Sequence, residues 1–374
     1  MSEVPERGSP ETIVIMNAFR ESSILNAEPL VWRGPVPGEV EGVPARLPGA
    51  TRKSQRQHAR LAAVSPTTRR RFLAQCGATA AAAWLRPTLA HADTAPSLHF
   101  PSEPRQRIAV ASYPFREFIA GADHKSGNPT IELKDFAAHV IEKFNVNKIE
   151  PWTGHFPSRD AEYLQQFRAS VEKAGAAIAN VAVDGQHSPY SPDRSEREQA
   201  VAFSKQWVDA AITLGSPSIR TNLPAAKNVK PDLERTADTL LRVVEHASAK
   251  NLVVTLENDN PLSEDPFFLV KVIEKVNSPW LRTLPDFGNT LAAKDSDYAY
   301  RGIDAMFSHA YCISHVKSSE TNSKGITVHV DMAKTFGFMK QHGYKGYCSM
   351  EWDDAGDPYV GTAGLIQTTL RYLS

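Results

Sequence analysis

Four side chains recur through the second half of the chain at separations of 29, 29 and 36 residues: Glu257, Asp286, His315 and Glu351. Each stands at or near the end of a short apolar run, in LVVTLE, LRTLPD, YCISHV and GYCSME. A single carboxylate in such a place is a strand that has reached water, where its charge costs little. Four in phase call for another account, because the spacing is that of one strand followed by one helix. Three carboxylates brought to one spot repel each other and raise one another's pKa unless a cation neutralises them. With the imidazole beside them, the donor set is three oxygens and one nitrogen. That set suits one divalent metal ion, Mn, Mg, Co or Zn, with positions left open for a substrate.

The elements that must position them follow from the same pattern. Strand-like runs span 107–112, 146–151, 177–183, 217–221, 252–257, 281–286, 311–316 and 346–351, and segments of helical period such as DLERTADTLLRVVEHASAKN lie between them. Eight strand-then-helix units predict a closed (β/α)8 barrel over residues 93–374, with the four polar ends on the C-terminal rim of strands five to eight. An open doubly wound sheet is the competing arrangement; the absence of a glycine-rich loop after the first strand weighs against its nucleotide-binding form. Side chains alternate faces along a strand, so His315 shares a face with Lys317, and Glu351 with Ser349. Cys312 and Cys348 then point the other way, toward the helices, as inert core residues.

Residues 1–92 read as processing rather than fold. The Pro- and Gly-rich stretch within 1–64 predicts disorder, or an extension upstream of a true translation start near Val64. Residues 65–92 carry Arg69 and Arg70 ahead of Phe72 and Leu73, then an Ala-rich segment and Ala90-His91-Ala92. This resembles a twin-arginine export signal cut after Ala92, which implies a periplasmic or secreted protein. Residues 1–92 hold 12 Lys or Arg against 7 Asp or Glu, and the remainder 30 against 35. A mildly acidic domain has no electrostatic footprint for nucleic acid, so no such partner is expected. No apolar run reaches the roughly 18 residues of a membrane span.

The set Glu257, Asp286, His315 and Glu351, in TLEN, LPDFGN, SHVK and SMEW, resembles the xylose isomerase-like TIM barrel superfamily, in its sugar phosphate isomerase/epimerase branch. KIEPW at the second strand and the ending MKQHGYKGYCSMEWDD support the resemblance, which covers roughly residues 107–374. It implies a metal-dependent isomerase or epimerase acting through an enediolate on a ketose or keto-sugar, with Glu257 and Glu351 as the catalytic base and acid. Lys317, Glu150, His155, Arg220, Asn222, Asn258 and Asn289 are the candidate contacts for a small carbohydrate, and Trp152, Trp352 and Phe115 are candidates to stack on its apolar face. A homo-oligomer is left open.

Two positions depart from the family pattern. Asn289 stands where a histidine commonly follows the sixth-strand acid, and HVKSSETNSKG supplies lysines where an arginine commonly follows the seventh-strand histidine. The nearest alternative is therefore a lyase or hydrolase that eliminates water or an aglycone from a keto-inositol or 3-keto-glycoside on the same metal. An abasic-site endonuclease needs more histidines and a basic cleft. A non-catalytic sugar-binding barrel is the remaining reading, since fold does not imply activity.

Overall fold

Short β-branched runs alternating with amphipathic segments become, in a computed structural model describing residues 95–374 except Ser323, a ring of parallel strands wrapped by helices. The expected disordered segment 1–64 and the signal segment 65–92 lie outside the described residues. The strands are β1 (Ile108–Ala111), β2 (Lys148–Glu150), β3 (Ala177–Ile178), β4 (Val181–Val183), β5 (Ser218–Thr221), β6 (Val253–Glu257), β7 (Leu281–Leu284), β8 (Ile313–Val316), β9 (Ser319–Thr321), β10 (Thr327–His329) and β11 (Tyr347–Met350). The helices are α1 (Phe136–Phe144), α2 (Ala161–Lys173), α3 (Arg194–Leu214), α4 (Leu233–Ser248), α5 (Pro266–Val276), α6 (Asn289–Ala293), α7 (Ser296–Phe307), α8 (Met332–Gln341) and α9 (Pro358–Leu373).

Two parallel sheets, ordered β3-β2-β1-β11-β8 and β4-β5-β6-β7, form the ring. Bridges between Trp152 and Ala182 at one seam, and between Thr283 and Ala310 and between Asp286 and His315 at the other, join them. This is the (β/α)8 arrangement, with α/β layering throughout. Its strands read as near-continuous apolar runs because helices cover the outside and side chains fill the inside. No helix among the described residues is long and apolar enough to cross a membrane.

Aspartate places the helix starts. Asp193, Asp232, Asp265, Asp295, Asp331 and Asp357 each accept a first-turn backbone N–H at the head of α3, α4, α5, α7, α8 and α9. Proline follows the cap in α5 and α9, where its missing N–H is no loss. Cys348 lies on the helix side of the sheet, its Sγ 3.9 Å from Met339 Sδ of α8, whereas Cys312, expected there too, meets the Ser218 side chain of the barrel interior because it stands ahead of β8, outside that strand's alternation; both thiols are buried and free.

Two features depart from the strand pattern. The run 177–183 is one apolar segment but two strands, β3 paired with β2 and β4 with β5. Asn180, between them, turns its amide into the barrel toward Glu150 and Ser218, which breaks the ladder there. After β8 the chain makes a β9–β10 hairpin in which Glu320 pairs with Val328, and Asn322 Oδ1 closes the turn by accepting the N–H groups of Lys324 and Ile326.

The strands that carry His315 and Glu351 are held close by Gly346. A Cβ there would lie 2.5 Å from the carbonyl oxygens of Tyr311 and Cys312. Gly346→Ala forces β8 and β11 apart, with a cost of about 1–3 kcal/mol for overpacking. The expected result is a lowered thermal midpoint, read by calorimetry, together with weaker binding of a divalent ion.

Candidate metal centre

Glu257 ends β6, Asp286 follows β7, His315 sits within β8 and Glu351 follows β11. All four are buried, and each offers one ligand atom such that these atoms lie within 4.8 Å of one another. His315 Nδ1 is the centre of the set, 2.7 Å from Glu257 Oε1 and 3.1 Å from Glu351 Oε2. Asp286 is anchored by one oxygen only: Oδ1 accepts the backbone N–H of Gly288 at 2.8 Å and of Asn289 at 2.7 Å. Its Oδ2 is buried with no hydrogen-bond donor. Leaving such an acceptor unmade costs about 1–3 kcal/mol, more if it is charged. A divalent cation satisfies that orphan oxygen, so the residues present fit an ion of this class.

The electrostatics point the same way. Burial, countered by Lys317 and reinforced by Glu257 and Glu351, pushes the Asp286 carboxyl up to about 7. Burial also pushes Glu351 up, but His315 and Lys317 overcome it and hold that carboxyl well below the usual range. His315 is driven well above its ordinary value, burial being outweighed by Glu150, Glu257 and Glu351. The carboxylates ringed around the His315 imidazole favour positive charge at this point of the barrel, as a divalent ion would supply.

Several candidate sugar contacts gather around this cluster. Arg220 Nε lies 3.0 Å from Glu257 Oε2, while its Nη1 pairs with Asp184 Oδ1 at 2.8 Å and with Asn222 Oδ1. Asn222 in turn donates to Asp259 Oδ2 at 3.1 Å. Lys317 Nζ donates to Asn289 Oδ1 at 2.8 Å and lies 3.3 Å from Glu351 and 3.7 Å from Asp286. Asn289 Nδ2 reaches Glu257 Oε1 at 3.3 Å.

The other candidates are packed among, or bonded to, groups of the protein itself. Asn258 is buried and fully used: it accepts from Asp286 N and donates to Asp286 O and Thr290 Oγ1, so it fixes the backbone of Asp286. Glu150 lies behind His315, both its oxygens 3.0 Å from Nε2. His155 is fully buried, bonds Ser112 Oγ at 2.9 Å and packs edge-on against Trp152, with ring centroids 4.8 Å apart. Burial, with His124 and Arg116, pushes its imidazole down to about 3, so it stays neutral in the wall. Phe115 is a core residue among Phe136, Phe144 and Tyr359. Trp352 packs against Gly361 of α9. Trp152 keeps a polar handle, donating Nε1–H to Asp184 Oδ2 at 2.6 Å.

Several further residues complete the surroundings of the cluster. Glu320, carried back by the hairpin, takes the Lys317 ammonium at 3.1 Å. Glu264 ties together the loops after β5 and β6, accepting from Leu223 N at 2.6 Å and Asn260 N at 2.7 Å. Burial, with Asp259, pushes its carboxyl up to about 8. Asn180 left a signal, a lone amide inside AIANVAV. Glu320 left none until the hairpin was known.

Solved structures sharing this fold include a xylose isomerase-like TIM barrel protein from Mycobacterium smegmatis in complex with magnesium, 16% identical, covering 71% of this chain and 96% of that one at a TM-score of 0.54. D-psicose 3-epimerase from Clostridium cellulolyticum H10 with D-tagatose is 16% identical and covers 71% and 95% at 0.51. The 3-keto-D-glucoside 4-epimerase of E. coli, in its apo form, is 12% identical and covers 71% and 99% at 0.52. Among curated proteins none matches the sequence. The family model described as xylose isomerase-like TIM barrel matches residues 138–373, and the chain belongs to that family.

Proposed function

We propose that the protein is a divalent-metal-dependent isomerase or epimerase that moves a proton beside the carbonyl of a ketose or keto-sugar. One observation carries the reading: Glu257 and Glu351 reach the same nitrogen, His315 Nδ1, from staves separated by β7 and β8. Two carboxylates on either side of one bound sugar are what removal of a proton from one face and its return to the other requires.

Glu257, Asp286, His315 and Glu351 would hold the ion. When bound, it supplies Lewis-acid polarisation of the carbonyl and the neighbouring hydroxyl. The chain's own groups do the rest. Glu351, 3.1 Å from His315 Nδ1 and 3.3 Å from Lys317 Nζ, is the proton acceptor on one side. Glu257 is oriented by Arg220 and Asn289 on the other side. Lys317, kept cationic by Asp286, Glu351 and Glu320 despite burial, balances negative charge that develops on the substrate oxygens. The epimerases of D-psicose and 3-keto-D-glucoside among the similar structures support a sugar substrate.

Asn289 favours a second reading, elimination of water or an aglycone from a keto-inositol or 3-keto-glycoside. Its amide is committed to Glu257 and Lys317 and leaves no imidazole at that point of the wall. Metal analysis coupled to solvent-deuterium exchange over a panel of ketoses and 3-keto-glycosides separates the two. Exchange with epimer formation supports the first, release of an aglycone the second, and no exchange with any member overturns both. The arginine pair and the Ala-His-Ala site support export by the twin-arginine route to the periplasm or beyond. Sequencing the exported protein from its N-terminus is expected to begin at Asp93.

A further inference from the structure

His315 presents two nitrogens to two different surroundings. Nδ1 meets Glu257 and Glu351, whereas Nε2 faces away from them to Glu150 of β2, both of whose oxygens lie 3.0 Å off. Glu150 is 1% exposed. Its Oε1 also accepts from Asn180 Nδ2 at 2.7 Å, and Asn180 Oδ1 accepts the hydroxyl of Ser218 at 2.7 Å. The carboxylate, which can only accept, settles the amide's orientation: its NH2 faces Glu150, and its oxygen takes the proton of the Ser218 hydroxyl. Asn180 and Ser218 are completely buried.

A neutral imidazole has one lone pair and one N–H, so a ligand through Nδ1 must carry its proton on Nε2. We infer that Glu150 is a positioning residue: with Asn180 and Ser218 behind it, its carboxylate keeps the His315 proton on Nε2 and aims the Nδ1 lone pair at the divalent ion. This rests on the metal reading above. It gives Glu150 no contact with the sugar, because both oxygens are spent inside the barrel.

The test is titration of metal-stripped protein with Co²⁺, without substrate. Glu150→Gln is expected to weaken binding about 10- to 100-fold, the range for a group that orients a metal-ligating histidine. It is also expected to shift the low-field imidazole N–H resonance of His315 upfield in proton NMR of the Mg²⁺-loaded protein. Asn180→Ser, which leaves the carboxylate in place but less well aimed, is expected to show a smaller loss; it decides the matter if Glu150→Gln does not fold. Co²⁺ affinity unchanged in the variants, with KM for a ketose raised and kcat kept, overturns the inference and returns Glu150 to the substrate. Failure of the unaltered protein to bind Co²⁺ overturns the metal reading itself.

Discussion

Glu257→Gln and Glu351→Gln are each expected to lower interconversion of the sugar epimers by about a thousandfold, within the range for loss of a positioned acid or base. The two variants should differ in what they leave behind. With one carboxylate gone, the epimer whose C–H faces the surviving glutamate still exchanges its proton with heavy water, while the other epimer does not. The preferred epimer should switch between the variants. Because both glutamates belong to the four-residue cluster, metal content must be measured alongside. A glutamine retains a carbonyl oxygen for the ion, so a loaded, folded and inactive variant isolates proton transfer from ligation. Full interconversion by both variants would remove the assigned roles; loss of metal in either would make that residue chiefly a ligand.

Why the cluster was legible in sequence, and its surroundings less so, comes down to periodicity. In a parallel barrel the strand-helix unit repeats, and residues that end successive strands share a rim whatever the helices do. Glu257, Asp286, His315 and Glu351 are separated by whole units and could be placed without coordinates. Lys317 follows from His315 by the alternation of β8, and Cys348 from that of β11; Cys312, just ahead of β8, escapes it and meets Ser218. Contacts across the ring have no such signature. Glu150 and His315 are 165 residues apart, and only the ring's closure brings β2 behind β8. Glu150 and Asn258 are polar strand-end residues in sequence, the same signal that marks the four-residue cluster. What separates them is which partners use up their hydrogen bonds. His155 illustrates the converse, since a histidine in a loop looks available until its neighbours Trp152, His124 and Ser112 are in place.

Stripping the ion with a chelator is expected to abolish turnover and to leave a protein whose stability depends on pH in a definite direction. Asp286, raised to about 7 by burial, binds a proton in the fold that it does not hold when unfolded. Its stabilising contribution is therefore complete below the unfolded value of about 3.9 and is lost as pH rises through 7. His315 is raised as well, so its contribution is complete below the unfolded value of about 6.5 and is lost as pH rises from there through its folded value. Glu351 and Glu150 are lowered; their contributions are present above the ordinary carboxylate range and are lost only in strong acid. Asp286 governs the change up to about pH 7 and His315 above it, both in the same direction, so the metal-free protein weakens as the solution becomes more alkaline. An ion reverses this, since it needs Asp286 ionised and His315 Nδ1 deprotonated, and its binding releases protons. The gap in thermal midpoint between loaded and stripped protein should therefore be small near about pH 5.5 and widen toward about pH 8. At an ion concentration about a hundred times Kd, the stabilisation is about 2.7 kcal/mol, which corresponds to roughly 5 °C or more. Scanning fluorimetry with Mn²⁺ or chelator at the two pH values reads the difference directly. A gap that is equal at both, or absent, would mean that Asp286 and His315 do not exchange their protons for a metal ion.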